Sequence, residues 1–181
     1  LLRLTPLPRG KGVRMVLPEA EQCPLPPEVR TALSESLEQA CGGGVVAGYP
    51  LIDLEVRVLE APWQPGVTTG PGLLAAAQRG LAMAAREGAP TLLEPVMALE
   101  LTVPGEYSGR VIGSLQQKRG RVEGMQTRGE LEVIRGLVPL AEMFGYMTEL
   151  RSATKGRGTF SLEFSHFDLA PAEVRQRFGL A

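Results

Sequence analysis

Pro139-Leu-Ala-Glu-Met-Phe-Gly-Tyr-Met-Thr-Glu-Leu-Arg-Ser-Ala-Thr-Lys-Gly-Arg-Gly-Thr-Phe-Ser-Leu-Glu-Phe164 is the stretch that decides the fold. Leu140, Met143, Phe144, Met147 and Leu150 recur at helical spacing and predict one buried helical face. Pro139 suits a first helical turn, where its missing N–H costs nothing. From Thr159 to Ser165 the period changes to two. Phe160, Leu162 and Phe164 fall on one side; Thr159, Ser161, Glu163 and Ser165 fall on the other. That alternation predicts a strand with one face on a core. Between helix and strand lies Arg151-Ser-Ala-Thr-Lys-Gly-Arg-Gly158, with three cations and two glycines. Such a loop is expected to bring cationic side chains and backbone amides up to phosphates.

Working outward, Met97, Leu99, Leu101 and Val103 alternate with Val96, Ala98, Glu100 and Thr102 and predict a strand ended by Pro104-Gly105. Tyr107, Val111, Ile112 and Leu115 predict a helix closing at Lys118-Arg119-Gly120, with cations in the last turn and a glycine stop. Arg121–Gln126 and Glu130–Val138 read as two strands joined through Thr127-Arg128-Gly129. The order strand–helix–strand–strand–helix–strand is the ferredoxin-like βαββαβ plan. That plan hosts many functions, so it names none.

The first half is patterned too. Leu1–Leu4 and Val13–Leu17 read as short strands on either side of a basic loop with Arg9, Lys11 and Arg14. Pro18–Pro27 reads as irregular. Val29, Leu33, Leu37 and Ala40 predict an amphipathic helix stopped by Gly42-Gly-Gly44. Ile52, Leu54, Val56 and Val58 predict a strand. The proline- and glycine-dense loop Ala61–Gly72 follows, and then a helix carrying Leu73, Leu74, Ala77, Leu81 and Ala84. The turn cluster Gly88-Ala-Pro90 separates two patterned regions. The expected architecture is therefore α+β, in two small two-layer α/β-sandwich domains over residues 1–90 and 91–181, the second including a C-terminal tail.

Composition narrows the function classes. Apolar residues make up 44% of the 181 residues, enough for two aliphatic cores, and the net charge of −1 gives no global attraction for nucleic acid. Any such contact must come from local patches, of which Arg151, Lys155, Gly156 and Arg157 form one and Lys118, Arg119 and Arg121 another. Lys118 and Arg119 equally suit a helix C-terminus. Cys23 and Cys41 lack metal-ligand spacing and read as reduced thiols. No apolar run reaches membrane-spanning length. No Gly-x-x-x-x-Gly-Lys-Ser/Thr loop is present. His166, the sole histidine, reads as the end of the last strand in a packing or surface role. No catalytic residue, bound cofactor or metal ligand is expected in this chain. It opens on Leu1 within a strand-like run, which reads as a fragment of something longer.

Several longer words stand in a particular order: Leu92-Leu-Glu-Pro95, Val111-Ile-Gly-Ser-Leu115, Arg119-Gly-Arg-Val-Glu-Gly124, Val138-Pro-Leu-Ala-Glu-Met-Phe-Gly-Tyr146, Leu150-Arg-Ser152 and Thr154-Lys-Gly-Arg-Gly-Thr-Phe160. Together they resemble domain V of elongation factor G, the translational GTPase. Leu51–Arg57, with the preceding helix, resembles the later part of that family's domain IV, a ribosomal protein S5 domain 2-like fold. The resemblance implies a cytoplasmic parent whose GTP and Mg belong to an N-terminal GTPase domain outside this chain. It also implies ribosomal RNA of both subunits as partner, with the tRNA and mRNA region reached through domain IV and no membrane involved. It further implies that domain V packs near the GTPase domain and large-subunit rRNA, which favours an RNA contact for the basic loop.

In the family, the tip of domain IV carries an aromatic-His-acidic-Val-Asp-Ser-Ser sequence. Counted without gaps, Trp63 takes the aromatic position, Gln64 the histidine, and Thr68 and Thr69 the serines. Gln64 can hydrogen-bond RNA but cannot become cationic. The resemblance implies a part in GTP-dependent translocation of tRNA and mRNA, and the departure at Gln64 motivates the alternative of a paralogue working in ribosome recycling or protection. A ferredoxin-like ligand-binding regulatory module is the alternative from another class.

Overall fold

The computed structural model describes residues 1–180 apart from Ala20, Gln22 and Val45. The irregular stretch expected over Pro18–Pro27 therefore lies outside the described residues at two positions, and the expected tail does at Ala181. The chain divides into two compact units, Leu1–Thr91 with Pro171–Ala181, and Leu92–Ala170.

In the first unit, β1 (Leu2–Pro6), β2 (Val13–Val16) and β3 (Leu54–Val58) form a sheet in the order β1-β3-β2. The β1–β3 pair is antiparallel and β2–β3 parallel, the latter joined through the helix α1 (Pro27–Gly42). Pro27 occupies the first helical turn, and Leu33, Leu37 and Cys41 recur four apart on the buried face. A second helix, α2 (Gly70–Glu87), buries Leu81 against Val56, Val58 and that same face of α1. Gln78 Nε2 donates to Ser36 Oγ at 2.8 Å between the two helices.

The strand expected from Ile52 begins only at Leu54, because Asp53 has φ 57° and breaks the alternation. Asp53 instead ties the β1–β2 connection together. Its buried carboxylate accepts the Gly12 N–H at 2.9 Å, and its carbonyl accepts the Leu7 N–H at 2.8 Å.

The tail assigned by sequence to the second domain folds into the first unit. There α5 (Ala172–Arg177) leads to Phe178, whose ring meets that of Tyr49 edge-on at 5.6 Å. Val174, Phe178 and Leu180 are too few to show a period, so the sequence gives no sign of which core they join.

The second unit is a four-stranded antiparallel sheet in the order β5-β6-β4-β7. Its elements are β4 (Leu93–Pro104), α3 (Gly105–Gln117), β5 (Arg121–Arg128), β6 (Leu131–Pro139), α4 (Tyr146–Ala153) and β7 (Thr159–Leu169). Fourth strand, first, third, second is the ferredoxin-like order that the sequence predicts. Leu99, Leu101 and Val103 of β4 point into the core with Ile134 and Val138 of β6. Val111 and Leu115 of α3, with Tyr146 and Leu150 of α4, close it from the helical side. The β5–β6 hairpin turns on Gly129-Glu130, with Gly129 at φ 64° in the first loop position.

Two sequence expectations are corrected here. The single helix over Leu140–Leu150 is a 3₁₀ turn (Leu140–Met143), a break at Gly145 with φ 79°, and then α4. The left-handed glycine resets the helical phase. Met143, Tyr146 and Leu150 turn inward, while Phe144 is left 81% exposed and Met147 half-exposed. Secondly, β7 runs on past His166 to Leu169. Met97 pairs with Phe164 and Val96 with His166, so Ser165 is an extra residue in a bulge. Phe164, expected on the core side, is exposed, and across the bulge its ring lies 5.0 Å from that of Phe167.

Candidate nucleic-acid interface

The basic loop leaves the end of α4, and its shape is set by one buried side chain. Thr154 is fully buried. Its hydroxyl donates to the Leu150 carbonyl at 2.8 Å and accepts the Gly158 N–H at 2.9 Å. The Gly156 N–H donates to the Arg151 carbonyl at 2.8 Å, and the Arg157 N–H to the Thr154 carbonyl at 3.1 Å. The chain turns through successive left-handed residues, Lys155 at φ 52° and Gly156 at φ 81°. Gly158 packs so closely that a Cβ there would stand 2.9 Å from Thr154 Oγ1 and 3.0 Å from Leu150 Cγ.

The sequence expectation that loop amides approach phosphates is thus corrected. The N–H groups of Gly156, Arg157 and Gly158 all point inward and are satisfied. What the loop presents outward is side chains.

Arg151, Lys155 and Arg157 are all exposed. Among the described residues neither Arg151 nor Lys155 forms an ion pair. Arg157 reaches the first turn of α3. Its guanidinium lies 5.0 Å above the Tyr107 ring centroid and donates to Tyr107 Oη and Glu106 Oε1, each at 2.5 Å. The Arg157 hydrogen bond, helped by Tyr107 and the charge of Lys155, holds the Glu106 carboxyl below its usual range against the opposing effect of burial.

The second cluster is arranged differently. Helix α3 ends with Arg119 in the left-handed position (φ 57°), while Gly120 donates its N–H to the Leu115 carbonyl at 2.7 Å. A glycine is needed at 120 for that close approach, since a Cβ would sit 2.7 Å from the same oxygen. Lys118 Nζ pairs with Glu149 at 3.0 Å and lies 5.7 Å from the Tyr146 ring centroid. Arg119 forks onto Glu94 at 2.6 and 2.9 Å and reaches Glu142 at 3.0 Å. The hydrogen bond to Glu94 is the main reason its guanidinium holds its proton more tightly than usual. Arg119 therefore fastens the end of α3 to β4 and to the 3₁₀ turn, and Lys118 fastens it to α4. Arg121 alone of this cluster stands exposed without an ion pair among the described residues.

In the first unit, the Trp63–Thr69 loop is closed by its own threonines. Thr68 Oγ1 accepts the Gln64 N–H at 3.0 Å, and the Gln64 carbonyl accepts the Thr68 N–H at 2.8 Å. Thr69 caps α2 by accepting the Gly72 N–H at 3.3 Å. Trp63 is half-buried beside a shallow pocket with Cys23 and Ala61, whereas Gln64 and Val67 face solvent. Glu106, Tyr107 and Thr154 are the residues that sequence reasoning missed. Thr154 stands in the sequence inside the basic loop and at the head of the word Thr154–Phe160, with no sign of its buried role.

Burial, with a smaller effect from Glu38, pushes the Cys41 thiol up to about 11, away from the reactive thiolate. Cys23 is buried with its thiol against the Ala61 carbonyl. Among the described residues no group of three or more His, Cys, Asp or Glu side chains is placed to hold a metal.

Comparison with known proteins decides the family. Residues 91–178 match the model of the elongation factor G C-terminus. This half of the chain belongs to the elongation factor G family. Beyond it, similarity to elongation factor G extends over nearly the whole chain. Elongation factor G 1 of Geobacter sulfurreducens is 61% identical over 180 residues and elongation factor G 2 of Geobacter metallireducens 65%, each alignment covering 99% of this chain. Elongation factor G of Aquifex pyrophilus is 37% identical over 98% of it. A crystal structure of a Thermus thermophilus protein superposes with a TM-score of 0.85 at 32% identity, over 98% of this chain and 26% of that one. The chain spans about a quarter of the length of the curated relatives it matches.

Substitution at Thr154 separates a shaped loop from a merely charged one. Thr154→Val removes the acceptor of a buried N–H and is expected to destabilise the second unit by about 1–3 kcal/mol. Thr154→Ser, which keeps both hydrogen bonds, should lose less than half as much. Urea denaturation of the two variants reads the difference.

Proposed function

We propose that this chain is the ribosome-contacting part of an elongation factor G-like translational GTPase that promotes GTP-dependent translocation of tRNA and mRNA. The observation that carries the reading is the family match over residues 91–178, joined to a basic loop whose three cations face outward. The role is mechanical. GTP and Mg bind in the GTPase domain of the parent, in the cytoplasm, and these two units transmit the resulting change to ribosomal RNA. Contact through Arg151, Lys155 and Arg157 positions the arm by phosphate charge and RNA shape, without reading sequence. Lys118 and Arg119 contribute chiefly by holding α3 in place, and Arg121 adds to the charged surface. The first unit faces the tRNA and mRNA region through the exposed amide of Gln64 beside Trp63, on a loop braced by Thr68 and Thr69. The relatives are named as elongation factors, which supports translocation over the recycling or protection alternative.

The test is the double substitution Lys155→Ala/Arg157→Ala in the complete factor, titrated onto ribosomes across a salt series. Binding is expected to weaken about tenfold at low salt, with the slope of log K against log salt shallower by roughly 1 to 2. Unchanged affinity and slope would remove the loop from the interface.

A further inference from the structure

Of the three loop cations, Arg157 alone is ion-paired among the described residues. Its partner Glu106 lies 51 residues away, and both side chains are open to solvent at 52% and 60%. The pair therefore stands on the surface that carries Lys155, and Arg110 follows Glu106 by one helical turn, also exposed. Among the described residues Glu106 is thus the one carboxylate ion-paired with these cations, on a guanidinium that lies 5.0 Å from the Tyr107 ring centroid. A guanidinium fork accepts a carboxylate or a phosphate with the same geometry.

We propose that Glu106 is a built-in competitor for RNA phosphate at Arg157, so that the loop engages RNA by exchanging one anion for another. This rests on the reading of the loop as an RNA contact. The exchange is feasible because an exposed carboxylate pair is weak, while a phosphate of a polyanion gains from counterion release. Tyr107 remains under the guanidinium throughout and keeps it aimed. Once displaced, Glu106 takes up a cation from solution, which offsets part of the counterion release and makes binding less steep in salt. The device lets the arm grip and let go without a large barrier.

Glu106→Gln in the complete factor, titrated onto ribosomes with a non-hydrolysable GTP analogue, tests this. The variant should bind about two- to fivefold tighter at low salt, with the gain fading as salt rises. The same substitution on an Arg157→Ala background should bring no gain, because the competition has lost its object. A gain that survives without Arg157 would show general repulsion of RNA by a carboxylate and overturn the proposal. No gain from Glu106→Gln, where Arg157→Ala alone weakens binding, would overturn it while leaving the loop as a contact. An Arg157→Ala variant that binds normally would overturn both.

Discussion

Replacing Leu101 by Ala is expected to remove about 2–5 kcal/mol from the second unit. Leu101 is fully buried in the central strand β4, with Ile134 of β6 and Phe160 of β7 as its Cα partners. It thus joins three of the four strands under the helical layer. Truncation removes apolar transfer energy and leaves a cavity that neighbouring strands, hydrogen-bonded on both sides, cannot close. A domain of this size commonly holds only about 5–10 kcal/mol of net stability, so the loss is a large share of the whole. Ile134→Val, removing one methylene from the same layer, should lose only about 0.5–1.5 kcal/mol. Native-state hydrogen exchange reads the amides of the two units separately. A Leu101→Ala effect below about 1 kcal/mol would mean that this layer is not the core.

Gly136→Ala should cost about 1–3 kcal/mol although it adds only a methyl group. Gly136 lies in β6 beside the β5 bulge between Val122 and Gly124. A Cβ there would stand 2.4 Å from the Arg121 carbonyl oxygen and 3.2 Å from Val122 Cα, both backbone atoms of the paired strand. Neither can swing aside as a side chain would. The strand must shift, and Arg121 at its start shifts with it. Gly124 gives the internal control, with nothing within 4 Å of its Cβ position and no positive φ. Gly124→Ala should be neutral or gain up to about 1 kcal/mol through the unfolded chain. Equal effects at the two glycines in urea denaturation would contradict the close approach at Gly136.

These contrasts show which parts of the fold were legible in the sequence. The strands were, because Leu99, Leu101 and Val103, or Phe160 and Leu162, repeat at a period that survives any packing. The α4 face was not. A glycine at 145 fits a helical spacing count as well as a break, and only its left-handed backbone exposes Phe144 and turns Tyr146 inward. The bulge at Ser165 was hidden likewise, since it depends on pairing with Val96 and Met97 some 70 residues earlier.

The site divides in the same way. Composition found the cations of both clusters, but their partners lie far away in sequence. Arg119 is 25 residues from Glu94, and Arg157 is 51 from Glu106. No local count shows that Arg119 is committed internally while Arg151 and Lys155 are free of ion pairs among the described residues. Nor could it show that the loop amides turn inward onto Thr154. Glycines beside cations suggest an amide cradle, yet here they serve a tight turn and a close packing contact.

The central claim is that the Arg151–Gly158 loop rests on folded ribosomal RNA. It is tested most directly by a cleavage probe carried at Lys155→Cys, where an exposed thiol can be labelled while Cys23 and Cys41 stay buried. With the labelled complete factor bound to ribosomes, hydroxyl radicals released at this point should cut large-subunit RNA within one confined region. Cleavage no different from that of the free reagent, with the factor bound, would contradict it.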